Sequence, residues 1–139
     1  MPREVFDEIY GRVPRLSVDL LVRTKDGFVL TKRDIEPCAG QWHMPGGTVF
    51  FGEKLVDAVR RIAASEIGVE VTVGKQIGHV EYSSLCEGPQ KTWTVALVFE
   101  VTVVRGELGG SEQGREVGIF KQIPENTIKD QAGFLATIL

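Results

Sequence analysis

The sequence predicts an α/β fold, and two observations point to it. Runs of β-branched and aromatic residues recur from Leu16 to Phe120, and one strongly periodic amphipathic helix follows the Gly46-Gly47 turn. With 139 residues and 42% hydrophobic content, the chain makes one globular domain over 1–139 with a substantial core.

Residues 2–12 predict a short leading helix, since Pro2 suits a first turn and Val5, Phe6 and Ile9 make an apolar face. Pro14 ends it. Leu16 to Val22 reads as a strand with one misplaced charge, Asp19, among apolar residues. Asp26-Gly27 is a strong hairpin turn, and Phe28 to Arg33 is the returning strand. Asp34 to Met44 reads as a loop that leads through Trp42 and His43 to Pro45 and the glycine turn, where a Cβ would hinder close approach.

Glu53 is expected to open the next helix, its carboxylate against the positive end of the helix dipole. Leu55, Val56, Val59, Ile62, Ala63 and Ile67 recur at three- and four-residue spacings as a buried stripe, and Gly68 closes the helix. Val69–Val73 and Ile77–Tyr82 read as two strands, Ser83–Gln90 as a loop and Thr92–Val104 as a long central strand. Gly106–Gly114 is a glycine-rich loop and Val117–Phe120 a short strand. Pro124 precedes a final helix.

Composition excludes several classes of function. A net charge of −3, with no basic run, gives no footprint for nucleic acid. No apolar run approaches membrane-spanning length, and the first residues lack the layout of a signal peptide, so a cytoplasmic protein is expected. Cys38 and Cys86 are too few for a zinc site and read as free thiols.

The stretch from Gly46 to Val69 resembles the signature of the Nudix family, G-x5-E-x7-R-E-U-x-E-E-x-G-U, where U is aliphatic. Gly47, Glu53, Arg61, Glu66, Gly68 and Val69 fall on its fixed positions without a gap, and Ala63 is a small version of U. The resemblance implies a Nudix-type α/β/α sandwich with a mixed β-sheet, and a hydrolase. Two positions depart: Ile62 and Ser65 stand where the family has Glu. Positions 62, 65 and 66 share one helix face, which in the family presents carboxylates to divalent cations. Here Glu66 alone remains, enough for one metal at most. Arg61 reads as a structural tie between the glycine loop and the helix.

The first half is most similar to one branch of that family, the GDP-mannose mannosyl hydrolases. Pro14-x-x-Ser17-x-Asp19, Leu30-x-Lys32-Arg33 and Gly40-x-Trp42-x-x-Pro45-Gly46-Gly47 carry the likeness. That branch also lacks the same two Glu residues. The resemblance implies one Mg²⁺, with Mn²⁺ as its substitute, held by the Gly46 carbonyl, Glu66 and Gln113. It implies catalytic and substrate-binding roles for Asp19 and Arg33, with the substrate a nucleoside diphosphate sugar. Water would attack the anomeric carbon and nucleoside diphosphate would leave. It also implies a homodimer.

Two further departures bear on mechanism. Gly114 stands where the branch has its general base, a His, and Thr48 stands where it has a second Arg. Glu112, Glu116 and His79 are the remaining base candidates, and His79 is also a substrate-binding candidate. Two other readings stay open: a pyrophosphohydrolase attacking phosphorus on a nucleotide or ADP-ribose, and a nucleotide-binding domain without catalysis. Each residue also has a plain alternative. Asp19 could face solvent by strand alternation, Arg33 and Glu66 could be surface charges, and Gln113 could be a solvated loop residue. His43 and His79 could be ordinary histidines, and Trp42 a core anchor.

Overall fold

The computed structural model describes residues 1–34, 38–82, 92–110 and 116–139. Its elements follow the order α1 (Arg3–Tyr10), β1 (Arg15–Thr24), β2 (Gly27–Lys32), β3 (Trp42–His43), β4 (Gly46–Thr48), α2 (Leu55–Ile67), β5 (Glu70–Tyr82), β6 (Thr94–Arg105), β7 (Glu116–Phe120) and α3 (Lys129–Ile138). The seven strands form one mixed sheet, in which β1 pairs parallel with β6 and every other pairing is antiparallel. This is the α/β/α sandwich expected from the sequence. Among the described residues, no helix is long and apolar enough to cross a membrane.

Strand β1 is the organising element because both of its faces are covered. Val18, Leu20 and Val22 point into the layer closed by Val59, Ile62, Ala63 and Ile67 of α2. Leu21 points the other way, into the layer that holds Phe28, Leu30, Met44, Val98 and Leu135 of α3. Alternation therefore sends Asp19, two residues from Leu21, into the α3 layer instead of out to solvent.

Beside β1 the sheet splits. Its far end pairs with β2 (Arg23 opposite Phe28), while its near end pairs with β4 (Asp19 opposite Gly46). The chain from Trp42 to Thr48 forms a wedge between the diverging strands, with β3 pairing back onto β2. What read as a loop up to Met44 thus contains a short strand. Three other expectations change. Glu70–Tyr82 forms one strand, not two, interrupted by register shifts that include Val73/Gln76 and Gln76/Gly78. Val56 is 40% exposed, while Ala58 takes its place in the buried stripe. Cys38 is disulfide-bonded instead of a free thiol, since linear spacing says nothing of which thiols meet in space; Cys86 lies outside the described residues. Gly68 caps α2 in the left-handed region (φ 72°), as expected.

Candidate active site

The polar residues of the site collect where β1 meets the glycine turn. Arg15, Ser17 and Asp19 alternate along one face of β1. Asp19 is 4% exposed, and its Oδ2 accepts a hydrogen bond from the Tyr82 hydroxyl at 2.5 Å. Tyr82 in turn accepts from Gln131 Nε2 (2.7 Å), and Gln131 Oε1 accepts from the Met44 N–H (2.5 Å). A chain of hydrogen bonds therefore runs from the wedge, through α3 and β5, to the carboxyl.

Burial drives the electrostatics. It raises the Asp19 pKa from 3.8 to about 7, against the opposing effects of the Tyr82 hydrogen bond and the Arg15 charge. Tyr82 is pushed well above its ordinary value by burial, by the Asp19 charge and by its hydrogen bond to Asp19. It stays a neutral phenol that donates. Arg15 is pulled down by burial, against the neighbouring Asp19, Tyr82 and Tyr10. Arg15 Nε donates to Thr94 Oγ1 (3.0 Å), and Nη1 donates to Thr48 Oγ1 (2.7 Å).

The glycine turn joins Asp19 to α2. A Cβ on Gly46 would lie 2.2 Å from Asp19 Oδ1, while a Cβ on Gly47 would meet Ile62 Cδ1 at 3.2 Å. Ile62, 2% exposed, belongs to the core. The exposed Ser65 hydroxyl donates back to the Ile62 carbonyl (3.4 Å). Of the three positions on this helix face, Glu66 alone carries a carboxylate, and it is half-buried.

The Leu20 N–H donates to the Pro45 carbonyl (2.8 Å), and the Val49 N–H to the Leu16 carbonyl (3.0 Å). Gly46 is thus at a non-hydrogen-bonded position of this antiparallel ladder, and its carbonyl turns away from β1. No strand pairs with that side of β4 among the described residues. An outward backbone carbonyl and a single carboxylate are the donor types that fit a hard cation that keeps several waters. The described residues contain no cluster of three or more His, Cys, Asp or Glu able to hold a metal without such help.

Arg61 is the structural tie expected. Its Nη2 donates to the Thr48 carbonyl (2.8 Å) and to Glu53 Oε1 (3.0 Å), its Nε donates to Glu53 Oε2 (2.8 Å), and its guanidinium stacks 3.8 Å over Phe50. Glu53 precedes the helix instead of opening it. Its carboxylate accepts from Arg61 and from the Phe50 N–H (3.0 Å), which hold its pKa below the ordinary value.

The remaining candidates are placed less centrally. Arg33 follows β2, where its N–H donates to the Gln41 carbonyl (3.0 Å) and its carbonyl accepts from Gly40 (2.8 Å). Arg15 is a cation whose charge lowers the Asp19 pKa. His79 is exposed on β5, two strands from β1, beside Leu97 on the α2 face of the sheet. Asp19 occupies the opposite face, so the structure does not bring His79 and Asp19 together. Glu116 is exposed at the start of β7, opposite Lys32. Gln113, Glu112 and Gly114 lie outside the described residues. His43 is buried, its ring nitrogens bonded to Thr31 and the Met44 carbonyl, and Trp42 packs edge-on against Phe120. Both match their plain readings.

Residues 13–133 match the family model of the NUDIX domain. The chain belongs to the Nudix family. Over 124 residues this Nudix protein is 37% identical to the low-salt glycan biosynthesis protein Agl8 of Haloferax volcanii, covering 87% of this chain and 80% of that one. It is 31% identical over 107 residues to an ADP-ribose pyrophosphatase of Methanocaldococcus jannaschii, covering 77% of this chain and 62% of the relative. In three dimensions it resembles the MutT Nudix hydrolase of Burkholderia pseudomallei, with a TM-score of 0.81 and 24% identity over 91% of this chain and 99% of that one. The last likeness bears on fold. Together they make the protein a Nudix hydrolase, a family that acts on nucleotides or nucleotide sugars, generally with divalent metal ions.

Of the polar residues gathered at this candidate site, the sequence marks Asp19 but not Arg15, Tyr82, Thr94 or Gln131. One signal was present: an acidic residue inside an apolar strand needs a buried donor somewhere.

Proposed function

We propose that this Nudix hydrolase cleaves a nucleoside diphosphate sugar, of which GDP-mannose is the candidate named by the resemblance. Water attacks the anomeric carbon of the sugar, and nucleoside diphosphate leaves. The observation that carries this reading is the α2 face beside the glycine turn. With Ile62 in the core and Ser65 bonded to the helix, that face offers only Glu66. A single carboxylate suits neutralising a departing diphosphate better than activating water beside a polyphosphate. The name of the Agl8 relative, a glycan biosynthesis protein, agrees with a sugar-linked substrate.

In this reading the Gly46 carbonyl, Glu66 and Gln113 hold Mg²⁺, which when bound offsets the charge of the leaving group. Asp19 orients that group. With a pKa of about 7 it carries a proton over much of the neutral range, and Tyr82 fixes its rotamer. Arg33 adds charge-assisted hydrogen bonds to the same oxygens.

The test is the bond cleaved. In ¹⁸O-water with Mg²⁺, label is expected on the released sugar and absent from the nucleoside diphosphate. Glu66→Gln is expected to lower kcat roughly hundredfold, a loss at least as large as that from removing an outer-shell metal partner. The second reading, attack at phosphorus, is favoured by the ADP-ribose pyrophosphatase relative. It would leave label on a nucleoside monophosphate or sugar phosphate, and that result would overturn the first.

A further inference from the structure

Arg15 begins β1, lies opposite Thr94 of β6 in the sheet register, and shares a strand face with Asp19. A guanidinium has five N–H donors. Two serve the hydroxyls of Thr94 and Thr48, leaving three without a protein acceptor among the described residues. Hydroxyls are neutral, so they fix the plane of the guanidinium without cancelling its charge. No carboxylate among the described residues lies within ion-pair distance of Arg15. Asp19, on the same face, takes its hydrogen bond from Tyr82 instead.

The Phe6 ring of α1 stands 5.7 Å from the Arg15 carbon Cζ and helps cover the group. A partly buried cation, its fork held by two neutral groups beside the glycine turn, is a preset receptor for a bidentate anion. Were Arg15 only a counter-charge for Asp19, its fork would be expected to face that carboxyl directly. It is held toward Thr48 on β4 instead, one residue from Gly47.

We infer that Arg15 binds the diphosphate of the substrate through its unused N–H groups. The inference deepens the proposed function and rests on its substrate class.

The test is calorimetric titration of GDP, GMP and guanosine, and of the adenine series, with Mg²⁺ present. The proteins are wild type, Arg15→Ala and Arg15→Lys, each first checked by thermal melting. Arg15→Ala is expected to lose about tenfold or more in diphosphate affinity, the scale of a charge-assisted hydrogen bond, with nucleoside affinity unchanged. Arg15→Lys, which keeps the charge but not the fork, is expected to fall between. If the alanine variant does not fold, the lysine variant carries the comparison. Diphosphate affinity equal to wild type in a folded variant would overturn the assignment, as would an equal loss for the bare nucleoside. Wild-type protein that binds no nucleoside diphosphate would overturn the substrate class itself. That failure shows before any substitution is made.

Discussion

Gly46→Ala is expected to destabilise the protein by about 2–4 kcal/mol, the upper range for overpacking a core. The melting temperature should fall by roughly 10 °C. The reason is contact, not backbone angle. The new Cβ would lie 2.2 Å from Asp19 Oδ1 and 2.8 Å from the Val18 carbonyl oxygen. Neither neighbour yields easily, because Val18 is backbone of a central strand and Tyr82 holds the other oxygen of Asp19 at 2.5 Å. Adding Asp19→Ala removes the closer clash and leaves the Val18 one. The double variant is therefore expected to recover part of the loss, a non-additivity that thermal melts of the four proteins would measure. A Gly46→Ala protein as stable as wild type would show that β4 does not press on Asp19.

Asp19→Asn is expected to stabilise the protein at pH 8 and leave it unchanged at pH 4, while lowering activity. Well below pH 3.8 the carboxyl is protonated in both folded and unfolded chains and its titration adds nothing; at pH 4 the difference has reached only a small fraction of its full size. Between its ordinary value of 3.8 and its folded value of about 7, the unfolded chain ionises while the folded chain keeps the proton. Stability contributed by this group therefore falls as pH rises through that window and levels off above it. A shift of about three pH units corresponds to a penalty of roughly 4 kcal/mol above pH 7. Asn cannot ionise, yet its side-chain oxygen still accepts from Tyr82. Urea midpoints at pH 4, 6 and 8 would show the two curves separating upward. A wild type more stable than Asp19→Asn at pH 8 would mean that Arg15 and Tyr82 outweigh burial. The Asp19 carboxyl, in the proposed function an orienting group, is held against the stability of the fold.

The fold was legible where a period was strong. The apolar spacing of α2 and its Gly68 cap located that helix, and the Asp26-Gly27 turn located the β1–β2 hairpin. Errors came where local pattern underdetermines geometry. Glu53 sits at a helix-opening position in the sequence, but a bidentate contact with Arg61 claims it before the helix begins. Val69–Val73 and Ile77–Tyr82 read as two strands, whereas register shifts let one strand, Glu70–Tyr82, continue through the residues between them. Part of the candidate site was equally legible. Asp19 stood out as an anomaly in β1, the box spacing picked out Glu66, and the family resemblance added Gly46. Arg15, by contrast, carries no local signal, and its partners Thr48 and Thr94 are 33 and 79 positions away. No local rule joins them.

The hydrogen-bonded chain that fixes Asp19 links residues 63, 49 and 87 positions apart. Closing such spans is entropically slow compared with forming a hairpin. Refolding should thus give the sheet its β1–β2 corner early and deliver the phenol and amide to Asp19 late. Pulse-labelled hydrogen exchange would see this at the Met44 amide, which donates to Gln131, as protection arriving after that of the hairpin amides. In a nascent polypeptide the same order holds by necessity. Asp19 leaves the ribosome early and waits for Gln131 before its surroundings are complete.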